Sequence, residues 1–323
     1  MRLGPLTFAI AAAFLPAHAA AQEYPSRPVL FVVPYAPGGG TETMARLIGR
    51  RLEQRLGKPF VIDNRPGAGT AIGATFVAKS APDGHTILLA TSTTLAINVS
   101  IYRNLAYDPL KDLVPVALFS DNPFVLVVNP ALPVHSVADL VALANRTPGG
   151  LAYASNGHGG AGHLYAELLK SMTGIAMTHV PYKGLAPAFN DVVAGHVPLM
   201  FGDFGTALPL IRAGQLRALG VTTAQRVAVA PDLPPLSQAG LPGYVASSWQ
   251  MVAAPAGLPQ PILSKLNGEL RTIMAEPDIQ KDFADRGLIP VVSPSPEELQ
   301  GYVRSEIVRW GKVVEQAGAA GSQ

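Results

Sequence analysis

The sequence predicts an α/β fold of two similar lobes, each a parallel or mixed sheet flanked by helices, with two connecting strands between them. Three observations carry that expectation. Short apolar runs rich in β-branched residues alternate with helix-patterned segments, the order expected of parallel strands with helices on their faces. One unit of strand, Gly-rich loop, Gly-stopped helix, strand and turn occurs at 29–63 and again at 151–180, too far apart and too few for a solenoid. Amphipathic helices then end the chain after a Pro-rich connector, and such helices need a surface to cover. The economical arrangement returns them to the first lobe. Residues 22–122 plus 247–323 then form lobe 1, residues 123–246 form lobe 2, and residues 1–21 precede both.

VLFVV (29–33) is bounded by prolines and reads as a buried strand. After the loop PYAPGGG, Met44, Leu47, Ile48, Leu52 and Leu56 recur at helical spacing, with Thr41 as a cap and Gly57 as a stop. PFVID (59–63), the turn NRPGAGT, the short helix AIGATFVAKS and the strand HTILLATS complete the first series. The second opens with FVLVVN (124–129) and the helix SVADLVALANRTPGG, capped by Ser136 and stopped by Gly149. LAYAS, NGHGGAG, HLYAELLKSMTG and IAMTHV repeat the strand, loop, helix and strand. APAFNDVVAGH and GTALPLIRAGQ read as further helices, VPLMFGD and LRALGVT as strands. WQMVAAP resumes as a strand, and PQPILSKLNGELRTIMAEP and SPEELQGYVRSEIVRWGKVVEQAG are the closing helices.

Composition removes several function classes. The 323 residues contain no cysteine, which excludes disulfides, thiolate nucleophiles and Cys-ligated metals. A net charge of +2 without a Lys/Arg stripe argues against nucleic acid as a partner. At the N-terminus Arg2 precedes an apolar stretch that is short and Pro-containing, followed by two small-x-small sites. That pattern is a signal peptide cleaved near Ala19 or Ala21, and it predicts export to the periplasm.

Two loops carry the candidate chemistry. In PYAPGGGTET, Tyr35, Gly38, Gly39, Gly40 and Thr41 follow a strand and start a helix, so backbone amides and a helix dipole face one point. In YASNGHGGAGH, Ser155, Asn156, Gly157 and His163 occupy the equivalent place. Gly157, Gly159 and Gly162 match the dinucleotide fingerprint, but no acid follows the next strand, so no nucleotide cofactor is expected. His158 and His163 match no common zinc spacing, and no metal is expected. His163 either caps and packs a helix or faces a ligand. Asp203, at the end of VPLMFGD, either meets a ligand or caps the following helix. No G-x-S-x-G elbow or carboxylate pair marks a hydrolase, and a catalytic site is not expected.

The segments PYAPGGGTETMARLIGRRLEQRLGKPFVIDNRPGAG, PDGHTILLATS, YDPLKDLVPVAL, YASNGHGGAGHL, THVPYKGLAPAFNDVVAG and IRAGQLRALGVT occur in that order. The chain thereby resembles the solute-binding receptors of tripartite tricarboxylate transporters, the Bug family, over essentially the whole mature length. The resemblance implies a two-lobed, type II-like periplasmic binding fold that closes by a hinge. It implies a small organic carboxylate (a di- or tricarboxylate, an acidic amino acid or an aromatic acid) held between the two Gly loops by amides and water. It adds Ser92 and Tyr182 to the cleft and implies membrane transporter subunits as partners, or a sensor protein, for a monomeric receptor. Three departures line the implied cleft: Glu42 where the family usually has Asp, Gly202-Asp203 where it usually has Asp-Asn, and Ser92-Thr93-Thr94 in place of a Gly-containing loop. They bear on which carboxylate is bound. A secreted enzyme of the same shape is the rival reading, which turnover would reveal.

Overall fold

The computed structural model describes residues 24–38 and 40–322; the expected signal peptide and Gly39 lie outside the described residues. Strand β1 (Val29–Val33) leads through α1 (Gly40–Leu56), β2 (Phe60–Asn64) and α2 (Ala71–Ala78) to β3 (Thr86–Thr91). β1 pairs in parallel with both β2 and β3. Val29, Phe31, Val32 and Val33 are all buried, because helices cover both faces of these strands. Met44, Ile48 and Leu52 form the buried stripe of α1, as their spacing requires. Thr41 lies within the first turn of α1, so it does not cap the helix from outside.

A wide helical turn over Thr93–Ile97 continues into α3 (Asn98–Ile101) and then β4 (Leu113–Asp121). The hydrophobic pattern did not reveal β4. Pro115 interrupts it, and the strand tolerates proline because its register with its neighbour shifts there.

The second sheet is built from β5 (Phe124–Val128), α4 (Val137–Arg146), β6 (Leu151–Ser155) and α5 (Ala161–Thr173). It continues with β7 (Met177–Pro181), α6 (Leu185–Val193), β8 (Leu199–Asp203), α7 (Phe204–Arg212) and β9 (Arg217–Val221). Its strand order is β7-β6-β8-β5-β9. β6 runs parallel to β7 and β8, and β5 runs antiparallel to β8 and β9.

The chain then returns as β10 (Gln250–Pro255), which inserts antiparallel between β3 and β4. α8 (Gln260–Ala275), α9 (Pro277–Asp285), the short β11 (Ile289–Pro290) and α10 (Pro296–Gln316) follow. The first sheet is ordered β11-β4-β10-β3-β1-β2, so both sheets are mixed. The two segments that pass between the sheets lie side by side. Asn122 and Ser248 exchange backbone N–H···O bonds of 3.2 and 3.1 Å.

Each sheet has its own apolar core, and a third cluster runs across both. α10 makes that bridge. Trp310 stacks on Tyr165 of α5, with ring centroids 5.5 Å apart. The indole N–H groups of Trp249 and Trp310 both donate to Glu306 Oε2, at 2.9 and 3.0 Å. The last helix therefore packs on the second sheet's α5 as well as on β4, where the sequence pointed to the first lobe alone. Among the described residues no helix is long and apolar enough to cross a membrane.

Candidate functional site

A cavity of about 500 Å³ opens between the lobes, where the C-terminal ends of strands from both sheets face one another. Tyr35, Gly40, Thr41, Thr91 and Thr93 form the first-lobe wall. Asn156, Ala161, Asp203, Gly205 and Thr206 form the opposite wall. Asn122, Ser248 and Gln250, on and beside the crossing segments, lie between the two. Three helices, α1, α5 and α7, start at this cavity. First-turn N–H groups lack intrahelical acceptors, and each helix start carries a partial positive charge. The cavity thus favours an anion without a dedicated lysine.

The loop between β1 and α1 is anchored at both ends. Asn64 Nδ2 donates to Tyr35 O at 3.0 Å, and the Tyr35 hydroxyl lies 2.9 Å from Thr91 Oγ1. Glu42 does not face the cavity. Its carboxylate folds back, accepting the Gly38 N–H at 2.5 Å and Arg46 Nε at 2.7 Å. The Gly38 amide and then Arg46 hold the Glu42 carboxyl below its ordinary value. The Gly38 N–H is therefore spent on the protein, which takes it out of the anticipated set of ligand donors. Gly38 has φ +89°, a conformation that requires glycine. Gly40 has ordinary φ, and a Cβ built there would meet nothing within 4 Å.

The loop between β6 and α5 is braced by its own side chains. Ser155 Oγ accepts the Gly157 N–H at 3.1 Å, Asn156 Oδ1 accepts the Gly162 N–H at 3.2 Å, and His163 Nδ1 accepts the Gly159 N–H at 3.1 Å. A Cβ at Gly162 would stand 2.7 Å from Phe201 O, and one at Gly160 would stand 2.5 Å from Asn156 Oδ1.

Of the residues expected from sequence, Tyr35, Gly40, Thr41, Asn156 and Asp203 meet at the cavity. Gly38, Ser92, Ser155, Gly157, His163 and Tyr182 are not among the residues lining it. Ser92 is buried beneath the wall, and its amide donates to Trp249 O at 3.2 Å. Ser155 is likewise buried, its Oγ 2.6 Å from His179 Nε2. His163 is buried and neutral, and desolvation lowers it to about 4. Tyr182 donates to Asp191 Oδ2 at 2.6 Å; burial and then this bond push its phenol up to about 12.

Asp203 caps the helix, as one of the two readings had it, and also stands on the cavity wall. Oδ1 accepts the Thr206 N–H at 2.8 Å and caps α7, while the residue also lines the cavity. Desolvation in the cleft raises its carboxyl above the ordinary value, against the pull of the Thr206 hydrogen bonds.

Sequence reasoning missed Arg286 and Leu288, which reach the cavity from the turn after α9. α9 was itself not anticipated, so no local signal placed them. The lobes touch at this rim. A Cβ at Gly205 would lie 2.5 Å from Arg286 O, and one at Gly287 would lie 2.8 Å from Phe204 Cδ1. His179 was missed as well. It stands on β7 and gathers with His158 and His163, although its sequence spacing advertises nothing.

Residues 44–319 match the model of the tripartite tricarboxylate transporter family receptor. Protein BugT of Bordetella pertussis is 40% identical over 311 residues, covering 96% of this chain and 95% of BugT. An R. palustris protein solved with adipate is 41% identical and superposes with a TM-score of 0.84, over 92% of this chain and 99% of that one. MatC from Rhodopseudomonas palustris, solved with bound malate, is 35% identical with a TM-score of 0.80, over 90% of this chain and 100% of MatC.

Proposed function

We propose that this chain, which belongs to the tripartite tricarboxylate transporter receptor family, captures a small organic carboxylate between its lobes and delivers it to membrane transporter subunits. The observation that carries the reading is the convergence of three helix starts on one cavity lined with hydroxyl and amide groups. Relatives solved with adipate and with malate support the ligand class. The receptor is exported, acts as a monomer and carries out no turnover.

Gly40 and Thr41 present the first-lobe donors; Asn156 and the start of α5 present the second-lobe donors. Asp203 tunes the choice. A bare carboxylate beside it is repelled while it is ionised, whereas a hydroxyl or other donor on the solute gains an acceptor. Lobe 2, residues 123–246, closes on residues 22–122 plus 247–323, with the contact of α10 against α5 as the pivot at the back.

A melting screen with adipate, malate, citrate, acidic amino acids and aromatic acids tests this. A ligand at 100 times its dissociation constant stabilises by about 2.7 kcal/mol, a shift of several degrees in a chain of this size. The same ligand should shrink the radius of gyration in small-angle scattering. Stabilisation by sugars or cationic amino acids alone would overturn the anion site. A carboxylate that stabilises without compaction would overturn only the closure.

A further inference from the structure

We propose that His158, His163 and His179 form a second site, outside the carboxylate cavity, that binds one divalent transition-metal ion. One ring nitrogen from each residue lies within 4.8 Å of one from each of the others. None of the three residues lines the carboxylate cavity. Three imidazoles with a position left open is a donor set that suits zinc, nickel and copper ions.

The rings are already gathered. His163 and His179 stack with centroids 4.1 Å apart and 17° between planes, and His158 meets their edges at 5.6 and 4.8 Å. His179 carries the clearest sign of a missing partner. Its Nδ1 is buried and has no hydrogen-bond partner. Its Nε2 lies 2.6 Å from Ser155 Oγ, and that hydroxyl can give its proton to Gly157 O at 3.2 Å. Nε2–H then donates to Ser155, and Nδ1 keeps a bare lone pair.

Glu167 stands behind the cluster with its charge balanced by Lys170 Nζ, 2.8 Å from Oε2. Its Oε1 is 4.0 Å from His163 Nε2 and is fixed by the Tyr153 hydroxyl at 2.6 Å. His158 is exposed and gives the ion its way in.

Binding needs a local adjustment. Tetrahedral nitrogens about 2.1 Å from an ion stand roughly 3.4 Å apart, so the ring edges must close by about 1.4 Å at most. The two stacked rings must tilt toward each other about χ2, which is a broad torsion in histidine. His163 must also release the Gly159 N–H. If Nδ1 binds the ion its lone pair is taken, and if Nε2 binds then Nδ1 carries the proton. Metal binding is thus tied to the loop that presents Asn156.

The test uses the full mature chain without a histidine tag, stripped with EDTA and titrated with Co²⁺ and Zn²⁺ at pH 7.5. The expected result is one Co²⁺ per chain with d–d absorption, displaced by Zn²⁺, and a moved Gly159 amide resonance on Zn²⁺ addition. His158→Ala removes an exposed ring and leaves the fold intact; it should weaken Zn²⁺ binding by about tenfold or more, as should His179→Gln. His135→Ala, on a different loop, should change nothing. Absence of stoichiometric binding overturns the proposal, as does equal affinity in the chain and in His158→Ala.

Discussion

The loops between β1 and α1 and between β6 and α5 look alike in sequence and differ in what their glycines are for. In the second loop a Cβ at Gly160 or Gly162 would strike Asn156 Oδ1 or Phe201 O. Three of its amides are consumed by Ser155, Asn156 and His163. Those glycines let the loop pack on itself. In the first loop only the Gly38 amide is taken by a side chain among the described residues, and Gly40 has open space where a Cβ would stand. Gly40 has no positive φ and no neighbour to avoid, so neither strain nor packing asks for glycine there. The difference teaches that only the amides left unclaimed by a loop's own side chains are available to an anion.

Gly162→Val should break the second loop's packing and have the largest effect on stability. Overpacking of this kind costs about 1–3 kcal/mol, and each kcal/mol lowers Tm by roughly 2–4 °C in a domain of this size. An unchanged melting curve would show that the loop yields easily, and the contrast between the loops would fail.

Asp203→Asn keeps a good cap on α7 and removes the acid from the second wall. Adipate affinity at pH 7 should rise by about 1 kcal/mol, roughly fivefold. The sign follows from the raised carboxyl of Asp203. Below that raised value Asp203 is neutral and does not repel a carboxylate; as pH rises through it, the charge appears and affinity falls. Calorimetry over a pH series should show the affinity of Asp203→Asn relative to the unaltered chain growing as pH rises, a ratio from which adipate's own titration cancels. An affinity that does not change on substitution would leave Asp203 as a helix cap alone.

Glu42→Gln should have the smallest effect, because Gln still accepts the Gly38 N–H. Glu42 is held below its ordinary value by the Gly38 amide and Arg46, so its contribution is present above the unfolded carboxyl value. It is lost as pH falls through the lowered one. Acid-induced melting should therefore be less steep in Glu42→Gln: its Tm should be slightly lower near pH 7 and should converge with that of the unaltered chain as pH falls. Identical melting curves at every pH would show that the Glu42 charge adds nothing to the first loop.

Much of this architecture was legible because strands and helices alternate with sharp punctuation. The β1–α1 and β6–α5 units stand out through a buried apolar strand, a glycine run and a helical stripe such as Met44, Ile48 and Leu52. β4 escaped because Pro115 breaks its pattern, although a register shift accommodates it. The site was legible in part. Gly40, Thr41, Asn156 and Asp203 follow strand ends, where ligands gather in such sheets. Ser155 and His163 were marked by the same loop, yet they serve to hold that loop's amides. Arg286 and His179 were hidden because their place depends on tertiary return, the first from the turn after α9 and the second from the neighbouring strand.

The most direct test of the central claim is calorimetry on Gly40→Val with the carboxylate that best stabilises the unaltered chain. The added side chain meets open space in the protein and projects at the cavity wall. The account predicts an unchanged melting temperature without ligand and a loss of affinity of about tenfold or more, at least ~1.4 kcal/mol. Equal affinity in Gly40→Val and in the unaltered chain would contradict it, because the start of α1 would then not touch the ligand.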